Sequence, residues 1–202
     1  MRLFVAGELP EAVKAALAEA QRRLGREGGA SPMRDARPVK WTHPEGMHLT
    51  LRFLGETDSA RVTELSLALR EAVAGFSPIR LSLAGLGVFP PGGAVRVVWA
   101  GLGGEVDRLT ALAAAVEEAV AARGWAREAR PFHPHATLAR IEDRRAGAAI
   151  RGLLEEGGGS RLLEPPMPNV FPLAHVVLFE SRLGSGGARY RALDLFPLKG
   201  SA

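Results

Sequence analysis

Met47-His48-Leu49-Thr50-Leu51-Arg52-Phe53-Leu54 alternates without a break: Met47, Leu49, Leu51 and Phe53 make one apolar face, and His48, Thr50 and Arg52 share the other. A period of two predicts a strand with one side on a core and one side open. Gly55-Glu56-Thr57-Asp58 ends it. The arrangement returns 87 positions later (135 minus 48), where His135, Thr137 and Ala139 fall on one face of a strand expected near 132–141. In each His-x-Thr tripeptide the middle residue, Leu49 or Ala136, is apolar, so a buried anchor holds two exposed chemical groups side by side. With five histidines and six threonines in 202 residues, chance supplies roughly 0.15 such tripeptides. Two in matching contexts point to a duplicated functional element.

Arg2-Leu3-Phe4-Val5-Ala6 reads as an opening strand, and Val13, Ala16, Leu17, Ala20 and Leu24 predict a helix over 10–25 stopped by Gly25. A loop over 27–37 and a short extended segment from Pro38 to Trp41 lead to the first motif. After it, Val62, Leu65, Leu69 and Val73 mark a helix stopping at Gly75, and strands are expected at Ile79–Leu83 and Val95–Trp99 around the Pro90-Pro91-Gly92-Gly93 turn. Gly101-Leu102-Gly103-Gly104 lacks the lysine and spacing of a P-loop and reads as a strand-to-helix turn. Val106, Leu109, Ala113, Val116 and Val120 form the next helical stripe, closed by Gly124. Beyond the second motif come a short helix with Ile150, Leu153 and Leu154, a loop over 157–168, and strands near 173–182 and 188–196. Each half reads helix, His-x-Thr strand, helix, strand, strand. The expectation is an α+β chain, a single domain over 1–202 built from two pseudo-symmetric lobes, with the motif strands facing each other across a cleft.

Composition narrows the chemistry. An apolar content of 47% can fill a sizeable core. With no cysteine there is no disulfide, thiol nucleophile or Cys-based metal site, which fits a reducing cytoplasm. The opening strand turns polar too early for a signal peptide, and no run approaches ~18 apolar residues, so a cytoplasmic protein without membrane partners is expected. A net charge of +4 permits an anionic ligand without demanding one.

Histidine exchanges protons near neutral pH, and two histidines can divide one displacement between a base and an acid. Threonine hydroxyls can donate to the non-bridging oxygens of a phosphate. No metal or cofactor is called for. Which histidine is the acid is left open by the symmetry of the motifs. Arg52 shares the polar face with His48 and Thr50 and could meet a phosphate, or could simply be solvated. Phe132 could stack on a nucleobase or pack in the core. A His133/His135 metal pair lacks a third ligand at usable spacing. His43 and His175 read as structural or solvated, and Trp41, Trp99 and Trp125 as core or lobe-boundary residues.

Lys40-Trp41, the run from Met47 to Glu56, and Pro131-Phe132-His133-Pro134-His135-Ala136-Thr137-Leu138-Ala139-Arg140 resemble the bacterial and archaeal RNA 2′,3′-cyclic phosphodiesterases, formerly called 2′-5′ RNA ligases. The similarity extends to the opening strand and to Tyr190–Leu193 and Phe196–Leu198. It implies the bilobal two-histidine phosphoesterase fold, with antiparallel sheets flanked by helices around a central cleft. It also implies hydrolysis of a 2′,3′-cyclic phosphate to a 2′-phosphomonoester, with ATP-independent 2′-5′ joining as a weak reverse reaction. On that resemblance His135 activates water, His48 protonates the departing 3′ oxygen, and Thr50 and Thr137 hold the phosphate. An arginine at position 140 is placed near substrate, although its parity is opposite to that of His135, so that a bulge or the strand's end would be needed to bring it there. The expected partner is RNA or a nucleotide with a cyclic phosphate end, met by a monomer. The alternatives are an RNA-binding module without catalysis and a phosphodiesterase for another cyclic phosphate, such as ADP-ribose 1″,2″-cyclic phosphate.

Overall fold

The apolar stripes of the sequence resolve, in a computed structural model, into nine strands and four principal helices; residues 1–28, 39–163, 170–184 and 187–200 are described. Most of the loop expected over 27–37, Pro38, and residues 164–168 of the loop expected over 157–168 lie outside the described residues. In chain order the elements are β1 (Arg2–Glu8), α1 (Glu11–Glu27), β2 (Val39–Trp41), β3 (His48–Glu56), α2 (Val62–Val73), β4 (Ile79–Phe89) and β5 (Val97–Gly104). Then follow α3 (Val106–Ala121), β6 (His135–Ile141), α4 (Arg144–Leu153), β7 (Phe171–Leu173), β8 (His175–Gly184) and β9 (Gly187–Pro197).

The strands form one sheet in the order β7-β4-β5-β6-β3-β1-β8-β9, with β2 pairing β6. The motif strands β3 and β6 are its two central members, antiparallel neighbours paired at Leu49 and Ala136. They meet at this one pair, where the two lobes join into one sheet, so that the motif strands are antiparallel neighbours at its centre. Strand exchange between the halves explains this. The first half runs β1-α1-β3-α2-β4 and the second β5-α3-β6-α4-β8, yet β4 pairs with β5 and β8 pairs with β1. Each half completes the other's sheet, so the lobes β7-β4-β5-β6 and β3-β1-β8-β9 each mix the two halves of the chain. That exchange is non-local and leaves no mark in hydrophobic periodicity.

One side of the sheet is buried by all four helices: Leu49, Leu51, Ala136 and Leu138 join Leu17 of α1, Leu65 of α2, Leu109 of α3 and Ile150 of α4 in a single core. Gln21 of α1 fastens this packing, its amide nitrogen donating to the carbonyls of Leu138 (2.7 Å) and Thr42 (2.8 Å).

Two glycine readings change. Gly25 does not stop α1, which continues to Glu27 with Gly25 on its buried face. Gly101–Gly104 are not a turn but the end of β5, pressed against β4: a Cβ on Gly101 would stand 2.8 Å from the carbonyl oxygen of Ala84. The second motif strand begins only at His135, since Pro134 supplies no donor to a ladder.

Candidate active site

Because β3 and β6 are antiparallel and Leu49 pairs with Ala136, His48 falls opposite Thr137 and Thr50 opposite His135. Each histidine thus neighbours the threonine of the other motif, with opposed pairs about 4.5–5.5 Å apart at Cβ. Leu49 (1% exposed) and Ala136 (0%) turn into the core, and all four motif residues stay partly accessible on the other face.

The imidazoles are anchored alike. Nδ1 of His48 lies 2.7 Å from the carbonyl oxygen of Gly46, and Nδ1 of His135 lies 2.7 Å from that of His133. A carbonyl only accepts, so each Nδ1 carries the hydrogen and each Nε2 is left to exchange protons. Two identical tautomers with free Nε2 atoms suit a base and an acid equally well.

Matching bulges complete the site. Along β1, Val5 pairs with Arg52 and Ala6 with Thr50, which makes Leu51 an extra residue; along β5, Val98 pairs with Ala139 and Trp99 with Thr137, which makes Leu138 extra. An extra residue reverses the parity of everything after it. Arg52 consequently leaves the site: it is 8% exposed, ion-paired with Glu117 of α3, and donates to the carbonyls of Phe53 and Ala126. The strict alternation read from sequence breaks at this bulge. Phe53, read as core, is turned outward and is 51% exposed. By the same device Arg140 turns to the motif face, where its charge acts on His48, His135 and Tyr190.

Aromatic rings frame each histidine. His48 packs 4.8 Å from the Phe4 ring and edge-on at 5.1 Å to Tyr190, and Phe4 stacks on Phe179. His135 stands edge-on at 5.3 Å to Phe89 and 6.4 Å from Trp99, and the exposed His133 packs 5.1 Å from the Phe89 ring and 4.9 Å from Trp99. The Trp99 indole lies directly over Gly87, a position where any Cβ would collide with the ring. Sequence reading missed Phe4, Phe89, Trp99 and Tyr190 as neighbours of the site, because they come from strands joined only by tertiary pairing. Phe132 packs against the core and, among the described residues, makes no ring contact with either histidine. His43 is exposed beside Glu45. Among the described residues, no group of three or more His, Asp or Glu side chains could hold a metal ion, and no helix is long and apolar enough to cross a membrane.

Burial lowers the His48 pKa to about 4, against the opposing pull of the Gly46 carbonyl; the charges of His135, Arg140 and Lys14 lower it further. His135 is lowered too, by burial first and then by His133 and Arg140, with its own carbonyl partner opposing. Both rings are therefore neutral at pH 7 in the empty site. A bound dianion raises both pKa values, so above about pH 4, where the His48 ring is neutral without a ligand, binding takes up protons and affinity rises as pH falls. Sulfate, which does not titrate in this range, should bind several-fold more tightly at pH 5.5 than at pH 7.5 by calorimetry; an unchanged affinity would contradict this electrostatic account.

The family model described as the 2′-5′ RNA ligase superfamily matches residues 10–182. The chain belongs to the 2′-5′ RNA ligase superfamily. Within it, a Thermus thermophilus protein named RNA 2′,3′-cyclic phosphodiesterase is 36% identical over 99% of this chain and 91% of its own. One of the same name from Aeropyrum pernix is 40% identical over 60% of this chain and 68% of its own. Among solved structures, one from Thermus thermophilus superposes with a TM-score of 0.71 at 32% identity, covering all of both chains. The Escherichia coli LigT structure complexed with NADP+ does so with a TM-score of 0.71 at 25% identity, over 98% of this chain and 96% of that one. These superpositions identify the α+β, two-histidine phosphoesterase architecture of the superfamily.

Proposed function

We propose that this chain is an RNA 2′,3′-cyclic phosphodiesterase that opens a 2′,3′-cyclic phosphate to a 2′-phosphomonoester without a metal ion. The observation that carries the reading is the crossed register of the two tripeptides: two Nδ1-anchored histidines and two threonines on one face, with Arg140 turned over them by a bulge. The names of the relatives support the same substrate class.

In this mechanism one Nε2 takes the proton of a water as its oxygen bonds to phosphorus, and the other Nε2–H delivers a proton to the 3′ oxygen as the P–O3′ bond breaks. Thr50, Thr137 and Arg140 hold the non-bridging oxygens, whose charge grows in the transition state. Following the superfamily resemblance, His135 is the base and His48 the acid. The burial of His48 favours that assignment, because a ring that ordinarily resists protonation is a strong acid once bound phosphate has charged it. A 5′-hydroxyl in place of water gives weak 2′-5′ joining. Residues 1–202 act as one domain, one tripeptide from each half, in a cytoplasmic monomer.

Incubation with a 2′,3′-cyclic nucleotide and a cyclic-phosphate-ended oligonucleotide in EDTA tests this. The expected product is the 2′-phosphate from both. Exclusive 3′-phosphate, or turnover only of ADP-ribose 1″,2″-cyclic phosphate, would replace the reading, and RNA binding without turnover would favour a non-catalytic module.

A further inference from the structure

Most described arginines are neutralised by an acidic neighbour, from Arg2 with Glu56 to Arg191 with Glu180. Among the described residues, five have no acidic partner within 4.0 Å: Arg96, Arg140, Arg144, Arg145 and Arg189. Four of these gather at one place. Arg140 is near the end of β6, and Arg144 and Arg145 open α4 immediately after it. Arg96 joins them because its carbonyl accepts from Ile141 (2.8 Å), and because Gly147 of α4 packs on its neighbour Val95. All four are exposed.

The placement runs against local preference. The first turn of a helix favours acidic residues, yet beyond the capping Asp143, whose carboxylate accepts from the Ala146 N–H (2.8 Å), α4 has none there and carries two arginines instead. Lys40 adds to the patch: β2 pairs it directly with Arg140, and its contact with Glu142 (2.6 Å) is a solvent-exposed pair of little net strength that a phosphate can replace. The patch is continuous with the active site, since β6 carries Thr137 and then Arg140 about 7–10 Å further along the strand.

A 2′,3′-cyclic phosphate closes the 3′ end of a chain, so any further nucleotides leave the site on the 5′ side alone. We propose that Arg96, Arg144 and Arg145, continuing from Arg140 and Lys40, form the track that binds the backbone of the RNA strand 5′ to the cyclic phosphate. The enzyme then distinguishes RNA ends from free cyclic nucleotides by charge along this track. The proposal rests on the phosphodiesterase reading.

Its test compares 2′,3′-cyclic AMP with an adenosine pentanucleotide ending in a 2′,3′-cyclic phosphate, in the unaltered protein and in Arg96→Ala/Arg144→Ala/Arg145→Ala. The expected result is about a tenfold or greater loss of kcat/KM on the pentanucleotide, with cyclic AMP unchanged within twofold. The log–log salt slope for the pentanucleotide should fall by about 2, at ~0.7 per lost phosphate contact. Arg189→Ala, which removes the unpaired arginine outside the patch, should alter neither substrate. Equal losses on both substrates, or no preference for the longer one in the unaltered protein, would overturn the track. If neither substrate is turned over, the phosphodiesterase reading fails, and fluorescence anisotropy with a pentanucleotide 3′-phosphate decides the track separately. Weaker binding by the triple variant supports it, and equal binding rejects it.

Discussion

Replacing His48 or His135 by alanine lowers kcat/KM on a 2′,3′-cyclic phosphate by about 10²–10⁴, the range that one positioned proton-transfer group contributes. At 1.36 kcal/mol per factor of ten this is roughly 3–5 kcal/mol of transition-state stabilisation. The loss should appear mainly in kcat, since the proposed mechanism shares binding of the phosphate with Thr50, Thr137 and Arg140. The double variant should be scarcely worse than either single one, because base and acid act in one displacement. His48 also packs against Phe4 and Tyr190, so alanine there removes a ring contact as well as a proton carrier. His48→Gln, which keeps more of the volume, separates the two effects: it should lose as much activity as His48→Ala with a smaller drop in Tm. Thr50→Ala and Thr137→Ala should cost less, about 10–10², the worth of one hydrogen bond to a charged group. Near-normal kcat in either histidine variant would remove that residue from the mechanism.

The helices, the motif strands and the shared face of each His-x-Thr pair were legible in the sequence because each depends on a local period. Val106, Leu109, Ala113, Val116 and Val120 need only a turn of 3.6 residues to be recognised as one face, and His48 and Thr50 need only the alternation of a strand. What escaped was whatever depends on pairing between distant segments. Gly101–Gly104 became strand because β4 lies close against them, and the exchange of β4 and β8 between halves is a choice of partner on which periodicity is silent. The bulges at Leu51 and Leu138 are of this kind too: an extra residue exists only relative to the strand alongside. Two leucines in equivalent places, 87 positions apart, were the one available hint, since the shared reversal of parity brings Phe53 and Arg140 to equivalent positions on the open face.

The bulge makes Arg52 a sharper discriminator than any motif residue. If Arg52 faced the phosphate, as unbroken alternation implies, Arg52→Ala would impair turnover and leave stability alone. In the structure it lies 8% exposed beneath β3, paired with Glu117 and donating to two carbonyls, so the consequence is reversed. Alanine leaves the Glu117 carboxylate, 21% exposed, without its partner and strips the Phe53 and Ala126 carbonyls of a donor. Removing one member of a buried pair costs about 3–5 kcal/mol. In a chain of this length that corresponds to a fall in Tm of roughly 10 °C, at about 2–4 °C per kcal/mol. Replacing both members, Arg52→Met with Glu117→Leu, should recover most of the loss, because apolar groups of similar size leave no charge stranded. At a temperature where the single variant is still folded, its kcat/KM should stay within a few-fold of normal. An Arg52→Ala protein with unchanged Tm and strongly reduced turnover would restore Arg52 to the site and reject the bulge at Leu51 as the feature that sets which side chains reach the phosphate.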